Sequence, residues 1–213
     1  MTDLVSVIPA LLTGLVLTVI LVVASAIIGS IVGLLLGVAA TSPLAVARWI
    51  SNIYTNVIRG IPPLIILFFM YFALPLVLPA LTLSAITTGI IGLSIYAAAY
   101  VGEIFRGSIL AIPQGQSEAA DILAMSYPTK MRHVILPQAL KIAMPSAIGF
   151  LISLVKASSL ASVIGVTELT SEGHIVSTIN NEPLTVFLIV AALYFVISYP
   201  LALLGRRLER RLA

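Results

Sequence analysis

Residues 11–38 carry no charged side chain, and the run is longer than the roughly 20 residues that cross a bilayer as a helix. In hydrocarbon every backbone amide and carbonyl needs a partner from its own segment, so a stretch like this commits the chain to helices in lipid. Composition agrees. Hydrophobic residues make up 60% of the chain and charged ones 9%, against roughly 45–50% and 25% in soluble domains. The expected class is an all-α integral membrane protein forming one transmembrane domain over residues 1–213.

Four more apolar stretches follow, at 58–78, 85–111, 138–157 and 184–204, giving about five transmembrane helices. In the first span Gly29, Gly33 and Gly37 recur every four residues, a spacing that lets two helices approach closely. Thr41-Ser42-Pro43 ends it. Residues 44–57, with Arg48 and Trp49 among apolar neighbours, read as an interfacial segment on the membrane surface. The second span opens on Arg59-Gly60-Ile61-Pro62-Pro63, where two prolines remove backbone donors. Membranes tolerate such a break only where it is buried in protein or lines a cavity, so Arg59, Gly60, Ile61 and Pro62 are candidate substrate contacts. Arg59 is equally readable as a cation snorkelling to the interface. Glu103 and Arg106 are spaced to pair on one helix face. Pro145 is expected to kink the fourth span, and Lys156 is either functional or snorkels to the outer surface.

Charge sets the expected orientation. Residues 158–183 hold Glu168, Glu172, His174 and Glu182 with no Lys or Arg, whereas Arg206, Arg207, Arg210 and Arg211 crowd just after the last span. Basic residues mark the cytoplasmic side, which puts the C-terminus inside and Asp3 with the glutamate stretch outside. Asp3 and the lack of a basic leader make the N-terminus unlike a cleaved signal peptide.

Residues 115–137 are the one long internal segment too polar for the bilayer. A short helix is expected over 117–125, with Glu118 in its first turn. Tyr127-Pro128 ends it. A second helix over 129–135 carries Lys130, Arg132 and His133, and Leu136-Pro137 closes the unit. The first helix presents small Ala119, Ala120 and Ala124 beside larger Ile122, Leu123 and Met125, a knob shaped for a socket on another protein.

Several chemistries are missing from the pattern. No phosphate-cradling G-x-x-x-x-G-K-[ST] occurs, so energy has to come from a partner or an ion gradient. There is no cysteine, and His133 and His174 fall on opposite sides, against a shared metal site. Glu168 and Glu172 read as an acidic solvated face rather than a catalytic pair. Ser158 and Ser159 lack a neighbouring base. The net charge of +3 is scattered over helix ends, unlike a nucleic-acid surface. No enzyme site emerges.

The string Glu118-Ala119-Ala120, followed by Ala124, Val134, Leu136 and Pro137, resembles the EAA loop of permease subunits of ATP-binding-cassette (ABC) importers. That family usually has Gly at the position of Ala124 and Ile at that of Val134. The stretches 58–75, 100–120 and 135–169 are similar to its polar amino-acid uptake branch. The resemblance implies the type I ABC importer permease fold, with 115–137 as a cytoplasmic coupling loop. Gly115, Ser117, Glu118, Ala119, Ala120, Ala124, Met125, Leu136 and Pro137 would engage the ATPases. Implied partners are two ATPase subunits that bind ATP and Mg (no cofactor in this chain), a second permease subunit, identical or paralogous, and an extracytoplasmic binding protein. The implied location is a bacterial inner membrane. In the fourth span, relatives that handle basic amino acids commonly carry acids where this chain has Phe150 and Ala157, which points to a neutral or acidic amino acid. Phe150, Ser153, Lys156, Ala157 and Ser158 join Arg59, Gly60, Ile61 and Pro62 on the implied pathway. The competing classes are a gradient-driven secondary transporter or channel, and a plain membrane anchor.

Overall fold

The computed structural model describes residues 4–212, and within them every regular element is a helix. Helix α1 (Leu4–Ala40) runs seven residues beyond the expected start, because its extra turns have something to pack on. Val7 and Leu11 are buried against Leu169, Val176, Val186 and Val190 of later helices. Further along, α1 lies against α5 (Ala85–Leu110) with the closeness that its glycines allow. A Cβ on Gly29, Gly33 or Gly37 would stand 2.5, 2.8 and 2.5 Å from Cβ of Ala97, Val101 and Phe105. Opposite that seam, Val16, Ile27, Ile31 and Leu35 are exposed, a stripe suited to lipid.

Helix α2 (Ala45–Gly60) is amphipathic in the reverse sense to a soluble helix. Ser51 and Thr55 are buried towards the bundle, while Val46, Trp49, Ile50, Ile53 and Val57 point out. The Ser51 hydroxyl donates to the Leu36 carbonyl at 2.7 Å, and the Tyr54 hydroxyl to that of Ile95 at 2.9 Å. The end of α2 lies three residues later than the expected 57. The helix runs on to Gly60 because Ile61, preceding a proline, is the first residue forced out of helical geometry (φ −105°, ψ 130°). The chain then bends by 102° into a broken span, Pro63–Val77. That span consists of α3 (Pro63–Phe68), a π turn (Phe69–Ala73) and α4 (Leu74–Val77).

Ser84 caps α5 by accepting the amide of Thr87. Helix α6 (Gln114–Ile122) begins three residues before the expected 117, so Glu118 lies in its second turn and is exposed. It also stops three residues before 125. Leu123 caps it and Ala124 turns left-handed at φ 52°. The amides of Ala124 and Met125 close back on the carbonyls of Asp121 and Ala120 at 2.9 and 3.1 Å, a Schellman cap.

Pro128 sits in the first turn of α7 (Tyr127–Lys130), as its lack of an amide favours. Leu136-Pro137 does not end the unit. The chain passes through a π turn (Met131–Ile135) directly into α8 (Leu136–Ala157), since the extra residue of a π turn absorbs the donor that Pro137 lacks. Helix α8 continues through Pro145. A 3₁₀ segment (Ser158–Ile164) ends at Gly165, whose φ of 89° reverses the chain into α9 (Leu169–Asn180). Helix α10 (Pro183–Leu212) completes the bundle. Among the described residues four helices are long and apolar enough to cross a membrane, or five if the bent pair forms one span.

Packing gathers the basic residues at one end. Val38 of α1 meets Ile109 at the end of α5, Ile112 just after it, and Met131 and Ile135 before α8, and Gly205 of α10 meets Ile148. Arg48, Lys130, Arg132, Arg206, Arg207 and Arg210 belong to this end, and Glu168, Glu172 and His174 to the other. Asp3 and the side chain of Arg211 lie outside the described residues.

Candidate functional site

Two features stand out from an otherwise apolar bundle. The first is α6, which projects from the basic end. Ile122 and Leu123 at its tip are 85% and 75% exposed, although both are large apolar side chains that water disfavours. Its inner side is fastened. Lys130 Nζ donates to Ser117 Oγ at 2.9 Å and to Asp121 Oδ1 at 2.7 Å, and Gln138 reaches Gln116 at 3.2 Å. Gly115, Glu118 and Ala119 are exposed, while Ala120 is buried at 3% and faces its own chain. The small residue at 120 therefore lets α6 seat on the bundle, not another surface on α6. Met125 follows the cap, and Leu136 and Pro137 lie at the base of the loop, Leu136 against the Ile135 cluster.

The second feature is the break after α2 and what meets it. The Arg59 guanidinium lies over the Tyr100 ring, 5.4 Å from its centroid, and its Nη1 is 3.8 Å from Glu103 Oε2. Arg106 grips the same carboxylate in bidentate fashion, at 2.9 and 2.6 Å. Tyr100 stacks on Phe150 at 5.2 Å, with Tyr96 at 4.7 Å from Tyr100. Arg59 and Phe150, far apart in sequence, thus share one aromatic and charged cluster beside Gly60, Ile61 and Pro62. The Glu103–Arg106 pair follows from helix spacing alone. Tyr96 and Tyr100 were missed, though an aromatic pair one turn apart and just before Glu103 was the available signal.

Along α8 the exposed side carries Ser146, Gly149, Ser153 and Lys156. Steps of three and four place these on one stripe, small and polar, which lipid would not accept. Lys156 opens on a groove of about 260 Å³ shared with Tyr194, Ser198 and Tyr199 of α10. Ala157 and Ser158 leave the stripe. Ala157 packs on the main core. Ser158 is fully buried, and its hydroxyl is spent on the Val155 carbonyl at 2.7 Å.

Glu168 is not on a solvated face. It is fully buried in the loop before α9, where its carboxylate accepts the amides of Thr170 and Ser171, both at 3.0 Å, and the Tyr194 hydroxyl at 2.8 Å. Burial pushes its pKa up, and those hydrogen bonds pull the other way. Thr18 joins α1 to the cluster by accepting the Leu169 amide at 3.1 Å. Glu168 therefore ties α1, α9 and α10 together. No group of three or more His, Cys, Asp or Glu is placed to hold a metal among the described residues.

Residues 29–213 match the model of the family described as the binding-protein-dependent transport system inner membrane component. The chain is 39% identical to the probable amino-acid ABC transporter permease YckA of Bacillus subtilis, covering 83% of this chain and 77% of that one. It is 36% identical to the glutamine transport system permease GlnP of Escherichia coli, over 96% and 94%. A solved amino acid ABC transporter, crystallised with histidines, superposes with a TM-score of 0.89 at 33% identity, over 99% of this chain and all of that one. With its helical spans, exposed α6 and broken second span, the chain belongs to the binding-protein-dependent inner membrane component family, as a multi-pass permease subunit of an amino-acid ABC transporter whose ATPase is a separate subunit.

Proposed function

We propose that the chain imports an amino acid at the expense of ATP hydrolysed by two partner ATPases, each receiving one α6 in a cleft. The observation that carries this is the pair of bare apolar side chains at the tip of α6, Ile122 and Leu123, on a helix braced from behind by Lys130. Closure of the ATPases around ATP and Mg would push α6, and the joined α7–α8 helix would transmit the push to the spans. The basic end faces the cytosol and the Glu168 end faces outward, where a binding protein delivers the ligand. A second permease subunit, the same chain or a paralogue, completes the path, and residues 115–137 act as the coupling loop of a single transmembrane domain.

The exposed stripe of α8 has a lysine and no carboxylate, so a cationic side chain would meet no counter-charge there. On that ground a neutral or acidic amino acid is favoured. A gradient-driven mechanism would place carboxylates along the path, whereas Glu103 is held by two arginines and Glu168 lies in a loop. The test is uptake of an amino-acid panel into liposomes holding the assembled transporter, with binding protein and ATP. Leu123→Asp and Glu118→Lys should each abolish uptake while the chain stays in the membrane. Full uptake by both variants would remove the docking role of α6.

A further inference from the structure

Helix α6 is attached to the bundle by little apolar contact. Of its nine residues only Ala120 is buried, and its one large apolar side chain, Ile122, points away at 85% exposure. Between α6 and the bundle lies a cavity of about 280 Å³. Gln114 and Ser117 of α6, Tyr127 and Lys130 of α7, and Thr41 and Ile109 of the bundle are among its walls. A cavity yields where close packing does not. A push on α6 would close this space before it moved a span, unless something stiff crosses the gap.

Lys130 crosses it. Ser117 and Asp121 are four residues apart and share one face of α6. The Lys130 ammonium donates to both, at 2.9 Å to Ser117 Oγ and 2.7 Å to Asp121 Oδ1. Its side chain is 15% exposed against 59% for Asp121, so the cation sits inside the joint and its carboxylate partner at the rim. Charge-assisted bonds from a largely buried ammonium are costly to leave unmade, which sets this tie apart from an exposed ion pair. The far side of the joint is anchored. Directly after Lys130, Met131 and Ile135 are buried with Ile109, Ile112 and Ala139, and the helix runs on into α8. The other side-chain link, Gln138 to Gln116 at 3.2 Å, is longer and uncharged.

We propose that Lys130 is a positioning residue for energy coupling. It fixes the distance between α6 and the α7–α8 helix, so that a stroke delivered to α6 reaches the spans instead of closing the cavity. Docking and coupling are then separate properties of one loop. Ile122 and Leu123, on the outer side, hold the ATPase, and Lys130, on the inner side, sets how much of the stroke is transmitted. A chain without the tie would keep its ATPase and let it hydrolyse ATP with little import in return. The inference rests on the ATP-driven importer reading and adds to it the residue that governs import per ATP.

The test is the number of ATP molecules hydrolysed per amino acid imported, measured on the assembled transporter in liposomes with its binding protein, for whichever amino acid the wild type imports. Lys130→Met should raise this ratio several-fold, with the ATPase subunits co-purifying as in the wild type. Lys130→Arg, which still reaches both acceptors, should keep close to the wild-type ratio. Removing the acceptors instead, with Ser117→Ala and Asp121→Asn together, should raise the ratio as Lys130→Met does, and this pair reads the same tie should Lys130→Met fail to assemble. Adding Lys130→Met to that pair should raise it no further, since the three side chains act as one unit. A wild-type ratio without the tie, with import and hydrolysis either unchanged or falling in proportion, would overturn the role of Lys130 and leave the importer standing. So would a further rise in the triple variant, or a ratio in Lys130→Arg as high as in Lys130→Met. Absence of import of any amino acid by the wild type would overturn the importer reading, and this role with it.

Discussion

Ala124 stands where the Schellman cap demands a left-handed residue, and at φ 52° its Cβ crowds the backbone. The resembling family places glycine here, and the geometry gives the reason. Ala124→Gly should stabilise the loop by about 1 kcal/mol, minus the entropy that glycine adds to the unfolded chain. Hydrogen exchange of the Ala120–Met125 turn checks this, with slower exchange expected in the variant. Glu168 makes a second single-residue case. Its folded pKa is raised above the ordinary 4.5 by burial, so its contribution to stability is full below that value and is lost as pH rises from there through the folded pKa. The melting temperature of the purified chain should fall over that interval as pH moves towards neutrality. In Glu168→Gln that part of the slope should vanish. An identical pH profile in the two proteins would show that Glu168 titrates alike in the folded and unfolded chains.

The helices that hydrophobic run and charge define on their own were legible in the sequence, and so was the small-residue face of α1, though not that α5 is what packs on it. Gly33 shows how tight that seam is, since any side chain there would meet Val101 Cβ at 2.8 Å and the Ala98 carbonyl at 3.0 Å. Gly33→Leu should cost of order 3 kcal/mol, read as a lower melting temperature in detergent. What escaped was set by distant partners. The early start of α1 needs α9, and α9 needs Glu168, whose hydrogen-bonding partner Tyr194 is 26 residues away. Neither relation has a local signature. The run of helix through Pro137 escaped too, because proline reads as a stop unless a π turn shifts the hydrogen-bond register ahead of it. In the candidate site, α6 and the break at Pro62 were visible as breaks in an apolar pattern. The meeting of Arg59 with Tyr100, Phe150 and Glu103 was not, because α2, α5 and α8 converge only in three dimensions.

Taken together, the chain is a bundle with an apolar outer surface, a basic end carrying a braced knob, a bent second span, and an exposed polar face on α8 that we propose lines the transport path. In the proposed mechanism the 102° bend at Pro62 would serve as the joint and the joined α7–α8 helix as the connector through which a push on α6 reaches the spans. The central claim is that α6 docks into a cytosolic ATPase. The chain has no cysteine, so a single Ile122→Cys variant reports its own exposure by labelling with a membrane-impermeant maleimide. In inside-out vesicles stripped of the ATPase, Cys at position 122 should label rapidly, and adding back the ATPase subunit should protect it. Labelling from the opposite face, or labelling unaffected by the ATPase, would contradict the account.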